Sequence, residues 1–192
     1  MPSILEIRWH SRGGQGAMLA VRTLARAVIR DGKYAQGLPE FGPERMGAPI
    51  RAYNRISDQP FALYCAIINP HIIVILDPSV AKLIDVTEGM YDDSKVIVNT
   101  DISPTEIREK LNIPKGKGKI YAIDALKISQ QELGRPMPNT PIMGALVKVA
   151  SIISFDALLG EVEKEFSERF PKKIVEANLT AIRRGYEEVV EE

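Results

Sequence analysis

Ile7-Arg8-Trp9-His10-Ser11-Arg12-Gly13-Gly14-Gln15-Gly16-Ala17 runs an apolar strand into a turn with three glycines and then into a helix. The strand is predicted over Ile4 to His10. The helix follows from about Gln15 to Asp31, with Gly32 placed to end it. Ala17, Ala20, Val21, Leu24, Ala27 and Val28 recur at three and four residues and form one buried face. Arg22, Arg26 and Arg30 fall on the other face, which reads as a solvated charged stripe or, alternatively, as a contact with acidic residues of a partner subunit.

Strands and helices continue to alternate downstream. Tyr34 to Leu38 and Ile50 to Ile56 read as strands, and in the second Arg51, Tyr53 and Arg55 share a face by the period of two. Ile72 to Leu76 and Val96 to Val98 are continuous apolar runs, as expected of strands covered on both sides. Lys119 to Ile123 adds a strand, and Ala125 to Leu133 a helix. Helical pattern then dominates at Ile142 to Ala150, Phe155 to Arg169 and Lys172 to Val190, with Pro171 suited to a first helical position. Phe155, Leu158, Leu159, Val162 and Phe166 read as core or subunit interface. The expected fold is α/β: a three-layer α/β/α domain with a mostly parallel sheet and a helical C-terminal part. Residues 114–119, Pro-Lys-Gly-Lys-Gly-Lys, are the expected mobile surface loop, and Glu187-Glu188 with Glu191-Glu192 a solvated end.

The 192 residues suit a single domain spanning 1–192. Lys plus Arg and Asp plus Glu are both 25, so no overall field draws nucleic acid or an acidic membrane surface. Cys65, the only cysteine, sits in an apolar run and is expected to be a buried, inert thiol. One cysteine and two histidines cannot hold an iron–sulfur cluster or a four-ligand zinc within this chain. The first residues lack the zones of a signal peptide, and Asn69, Pro70 and His71 interrupt the longest apolar stretch. The expectation is a soluble, cytoplasmic protein in a reducing compartment.

Unpaired N–H groups and the helix dipole make a helix start a place for a phosphate or carboxylate, and glycines let it come close. The turn is not a dinucleotide fingerprint, because the last Gly/Ala of that pattern would fall on Leu19. It is not a P-loop either, since the Gly-Lys-Ser/Thr is missing. On shape alone an anion site and a plain tight turn both remain open. A second stretch, Pro39-Glu40-Phe41-Gly42-Pro43-Glu44-Arg45-Met46-Gly47-Ala48-Pro49, displays an acid and a base between two Gly/Pro clamps.

Arg12-Gly13-Gly14-Gln15-Gly16 followed by Pro39 to Arg45 and Gly47-Ala48-Pro49 resembles the gamma subunit of pyruvate and related 2-oxoacid:ferredoxin oxidoreductases. Leu76-Asp77-Pro78-Ser79, Leu133-Gly134-Arg135-Pro136 and Asn139-Thr140 with Met143-Gly144-Ala145 extend the resemblance over essentially the whole chain. Met46 stands where many relatives have arginine, which thins the positive charge of that loop. The resemblance implies an enzyme, inactive as this chain alone, that converts pyruvate, coenzyme A and oxidised ferredoxin reversibly to acetyl-CoA, carbon dioxide and reduced ferredoxin. It places thiamine diphosphate, magnesium and 4Fe–4S clusters on alpha, beta and delta subunits or equivalent fused domains. Ferredoxin is then met through the complex, and coenzyme A is a substrate that this chain contacts.

The residues for that contact are Arg12, Gly13, Gly14, Gln15, Gly16, Glu44, Arg45, Asn139 and Thr140, with the Arg51/Arg55 face in support; the same residues can instead form a subunit interface. No residue is assigned a catalytic or metal-ligating role. Two alternatives stand beside this: an interface subunit of a branched-chain or other 2-oxoacid enzyme, and a free-standing nucleotide or flavin protein. His10 and His71 read as structural rather than proton-transferring, and Asp77, Asn99 and Asn139 as caps at element boundaries.

Overall fold

The computed structural model describes residues 3–40 and 47–192. Seven strands form one sheet in the order β2-β3-β1-β4-β5-β6-β7, where β1 is Leu5–Arg12, β2 Tyr34–Pro39, β3 Pro49–Ser57, β4 Ile72–Ile75, β5 Lys95–Asn99, β6 Lys119–Ile123 and β7 Val190–Glu191. β1, β4, β5 and β6 pair in parallel. β3 runs antiparallel to both β1 and β2, and β7 antiparallel to β6. β2 therefore points the same way as β1, and five of the seven strands share one direction. The expected mostly parallel α/β sheet is the sheet observed.

One face carries Ile7, Trp9, Ile72, Val74, Ile97 and Tyr121 into the larger core. It is covered by α1 (Ala17–Arg30), α3 (Ala125–Leu133), α4 (Asn139–Ala150), α5 (Phe155–Ser167) and α6 (Lys172–Glu188). The other face carries Ile73, Ile75, Val96, Val98 and Ile120 into a smaller core. That core lies under α2 (Pro104–Lys110) and a 3₁₀ turn over Pro78–Lys82. The core helices touch backbone to backbone where side chains are smallest. A Cβ on Gly144 would lie 2.1 Å from the Ile182 carbonyl oxygen, and one on Gly185 2.0 Å from that of Pro141, which draws α4 and α6 together.

Several expectations are corrected. The arginine stripe of α1 is not simply solvated: Arg26 and Arg30 pair with Glu165 and Glu161 of α5 at 2.7 and 2.6 Å, and Thr23 donates to Glu165 at 2.8 Å. Both carboxylates are buried where the two helices pack, so the cations neutralise charge inside this chain. Cys65 is exposed, because its apolar run forms no helix or strand and lies across the polar side of β1 and β3. The loop of residues 114–119 is fastened, since Arg108 donates to the carbonyls of Pro114, Lys117 and Gly118 at 2.7 to 3.1 Å. The acidic end is not simply solvated either: β7 extends the sheet and Glu192 accepts from the Arg108 guanidinium. Pro171 caps α6 rather than opening it.

Candidate functional site

β1 leads through α1 to β2 and β3 on one side of the sheet, and the chain then crosses to β4 on the other side of β1. This reversal parts the connections at the C-terminal ends of β1 and β4, the position at which open α/β sheets leave a crevice for ligands. The glycine turn follows β1 there, and Asp77 to Ser79 follow β4.

Polar contacts weld the two together. Gln15 Nε2 donates to Asp77 Oδ2 at 2.8 Å, while Gln15 Oε1 accepts from the Arg12 backbone N–H at 2.9 Å. Arg12 Nε donates to Ser79 Oγ at 2.8 Å and lies 3.5 Å from Asp77. Arg12 Nη1 donates to the Gly47 carbonyl at 2.8 Å, and the Gly13 N–H to that of Ala48 at 3.0 Å. Burial pushes the Asp77 carboxyl up, but hydrogen bonds from Ser79 and Gln15 and the Arg12 charge outweigh it and hold the group below its usual range. Asp77 also accepts from the Ser79 N–H and so caps the 3₁₀ turn, as expected. Arg12 thus acts as a brace between the glycine turn, the 3₁₀ turn and the Gly47–Ala48 backbone.

Behind this brace α1 begins without a side-chain cap at Gly16. By helix geometry, the first-turn N–H groups have no acceptor within the helix. Gly16 sits at φ +81°, and a Cβ there would come 2.7 Å from Asn139 Cγ. Glycine is needed for both reasons. Asn139, the first residue of α4, is buried, and its Oδ1 has no hydrogen-bond partner among the described residues. The structure thus brings Arg12, Gly13, Gly14, Gln15, Gly16 and Asn139 together. Thr140 faces elsewhere, donating to Asn178 Oδ1 at 3.1 Å inside the helical layer. Glu44 and Arg45 lie outside the described residues.

The Arg51/Arg55 face exists but is committed. Arg55 is 2 % exposed and pairs with Glu6 at 2.8 Å, and Arg51 lies 3.7 Å from Glu88. Beside them Arg8 is buried, its guanidinium donating to the carbonyls of Ile67, Ile68, Val86 and Glu88 and to His10 Nε2. Burial, then the charges of Arg8 and Arg51, push the His10 imidazole down to about 3, so it is neutral and structural. His71 is structural as well, its Nδ1 accepting from the Glu6 N–H. Tyr53 donates to Glu40, and its phenol is pushed up to about 12, by burial first and then by that carboxylate. Asn99 accepts from the Leu126 N–H at the start of α3, the capping role expected of it.

Three residues of the crevice escape sequence reading as site residues: Ser79, Lys82 and Lys110. Ser79 appears only within the Leu76-to-Ser79 motif, and the lysines carry no motif at all. They line a cavity of about 540 Å³ beyond the ends of β4 and β5. Among the described residues no group of three or more His, Cys, Asp or Glu side chains is placed to hold a metal. None of the described helices is long and apolar enough to cross a membrane.

Residues 6–188 match the family model described as pyruvate ferredoxin/flavodoxin oxidoreductase. Pyruvate synthase subunit PorC of Thermotoga maritima is 44% identical over 184 residues, 96% of this chain and 94% of that one. The pyruvate/ketoisovalerate oxidoreductases common subunit gamma of Thermococcus kodakarensis is 40% identical over 97% of this chain and 98% of its own length. The crystal structure of pyruvate oxidoreductase subunit PORC from Thermotoga maritima superposes with TM-score 0.86 at 42% identity, covering 98% of both chains. A 2-oxoglutarate:ferredoxin oxidoreductase from Magnetococcus marinus, solved with 2-oxoglutarate, coenzyme A and succinyl-CoA bound, shares the fold at TM-score 0.78 and 20% identity, over 96% of this chain and 31% of that one.

Proposed function

We propose, for a chain that belongs to the pyruvate ferredoxin/flavodoxin oxidoreductase family as a gamma-type subunit, that it binds coenzyme A at the glycine turn and presents the thiol to chemistry on partner subunits. The observation that carries this reading is the uncapped start of α1 at the strand-order reversal, braced by Arg12 and Gln15 against Asp77 and Ser79. Open N–H groups there suit the diphosphate of coenzyme A. A related fold solved with coenzyme A bound supports the same ligand. The reaction is the reversible oxidative decarboxylation of pyruvate to acetyl-CoA with transfer of electrons to ferredoxin. Thiamine diphosphate, magnesium and the 4Fe–4S clusters sit on the alpha, beta and delta subunits or their fused equivalents. One relative is described as common to pyruvate and ketoisovalerate enzymes, which supports assigning the choice of oxoacid to the thiamine-bearing partners.

In this reading Arg12 holds the turn in shape, and Glu44 and Arg45 are proposed as further contacts to the ligand or to a partner. A structural role in assembly accompanies ligand binding. Leu63, Tyr64 and Ile68 are exposed on the segment that crosses β1 and β3, as a face made to be covered by another subunit would be. The test is steady-state kinetics of the assembled enzyme carrying Gly16→Ala or Arg12→Gln. The Michaelis constant for coenzyme A should rise about tenfold, the loss of one or two backbone hydrogen bonds to the ligand as the turn changes shape, and that for pyruvate should stay within twofold. If coenzyme A kinetics and native-mass-spectrometry assembly are both unchanged, the site is misassigned.

A further inference from the structure

We infer that the segment of residues 58–69, together with the corner at residues 85–93, is a preformed docking face for another subunit of the enzyme, one that offers an apolar pocket flanked by lysine or arginine. This rests on the reading of the chain as a gamma-type subunit that works within an assembly, and adds which face is covered and by what chemistry.

The segment is built inside out. Residues 58–71 form neither helix nor strand, and such a stretch ordinarily leaves its backbone to water. Here the carbonyls of Leu63 and Ala66 accept from Arg55 at 3.4 and 3.5 Å, and those of Ile67 and Ile68 from Arg8 at 3.4 and 3.1 Å. Both guanidinium groups belong to buried residues of the sheet. The apolar side chains are what remains outside: Tyr64 is 80% exposed, Ile68 70%, and Leu63 is exposed as well. Burying two arginines is costly, and the backbone they fix is the one that displays those side chains. A face held in its bound shape before contact loses little entropy on association, and a firmly mounted, outward tyrosine is the usual kind of anchor.

The border of the face decides the partner. From Gln59 to Leu76 the chain has no Asp, Glu, Lys or Arg. The corner at residues 85–93 adjoins it directly: Asn69 Nδ2 donates to the Gly89 carbonyl at 3.0 Å, Arg8 also gathers the carbonyls of Val86 and Glu88, and the Tyr91 ring lies 5.1 Å from that of His71. Between Leu83 and Ser94 stand four acids, Asp85, Glu88, Asp92 and Asp93, all exposed, and no Lys or Arg. Arg51 lies 3.7 Å from Glu88 and offsets one of these charges. The border is therefore acidic in a chain whose formal net charge is zero. Such a border repels nucleic acid and an anionic membrane, and a second copy docked about a two-fold axis would set the acids against themselves. An apolar surface with a basic border is the complement it attracts.

The experiment uses the assembled oxidoreductase and native mass spectrometry. Tyr64→Asp should raise the dissociation constant of this subunit about thirtyfold, while hydrogen exchange of β4 and β5 stays as in the wild type and shows the fold intact. Glu88→Gln/Asp92→Asn should weaken the association about fivefold at low salt and flatten its dependence on potassium chloride. Cys65, exposed on the same segment and the only cysteine of the chain, reports coverage: iodoacetamide followed by peptide mapping should leave it unlabelled in the wild-type assembly and label it once Tyr64→Asp has released the subunit. Undiminished assembly of Tyr64→Asp, rapid labelling of Cys65 in the wild-type assembly, or an unchanged salt dependence in the charge variant overturns the inference. So does a raised Michaelis constant for ferredoxin with assembly intact, or the loss of a homodimer of this chain, since either gives the face a different occupant. A wild-type chain that assembles with no other subunit would instead overturn the gamma-subunit reading itself.

Discussion

Acid should destabilise this fold through His10 in a way that one substitution can isolate. The imidazole is fully buried, and its Nε2 accepts from Arg8 Nε at 3.1 Å, which leaves the ring neutral with its proton on Nδ1. Burial and the charges of Arg8 and Arg51 hold its titration at about 3, whereas an unfolded chain protonates near the ordinary value of about 6.5. Between those two values the unfolded state carries the extra proton, so stability is flat above pH 6.5 and falls as the pH drops towards 3. At about 1.36 kcal/mol per unit, lowering the pH from about 7.5 to 4.5 removes roughly 2–3 kcal/mol. That is a large share of the roughly 5–15 kcal/mol by which a domain is usually stable. Urea unfolding at pH 7.5 and 4.5 measures the loss in the wild type and in His10→Gln, whose side-chain oxygen can still accept from Arg8. The carboxylates titrate in both proteins, so the difference belongs to His10. The variant should lose roughly 2–3 kcal/mol less. Equal losses would show that the native ring takes up a proton as readily as the unfolded one, which would refute the reasoning.

Gly144→Ala or Gly185→Ala should destabilise by about 3 kcal/mol or more, because each Cβ meets a backbone carbonyl at 2.0 to 2.1 Å and the two helices must part; a melting temperature within a degree of wild type would contradict the close crossing. Arg108→Ala should cost about 2–3 kcal/mol and open residues 114–119 and 190–192 together in hydrogen exchange, since one guanidinium holds both segments; unchanged protection in either would sever that link.

Much of this architecture is written in local pattern. The strand–turn–helix of residues 5–30 shows in apolar spacing and glycine placement, and β4, β5, β6 and α3 to α6 lie close to their expected limits. What escaped depends on partners distant in sequence. α2 has only seven residues, too few for a clear periodicity, although Ser103 and Glu106 form a capping box that marks its start. The two-residue β7 is defined only by pairing with β6. Cys65 belongs to a run as apolar as a strand, and only its path across the charged residues of β1 and β3 leaves it exposed. Arg26 and Arg30 meet carboxylates more than 130 residues away. At the site, the glycine turn was visible from its residues and Asn139 through the family resemblance. Lys82 and Lys110 were not, because their cavity exists only once the 3₁₀ turn and α2 pack over the sheet.

The place of β1 in the sheet also sets the order in which a growing chain can fold. This first strand lies at the interior of the sheet, yet its two neighbours, Pro49–Ser57 and Ile72–Ile75, come later in the sequence. Until residue 75 has been made, both edges of a strand as apolar as Ile7 and Trp9 cannot be closed by native pairing, and its carbonyl-binding arginine, Arg8, lacks the segments it gathers. Assembly of the crevice is thus a late, non-local event and slow by the usual dependence on contact separation. Nascent chains halted before β4 would be the aggregation-prone species.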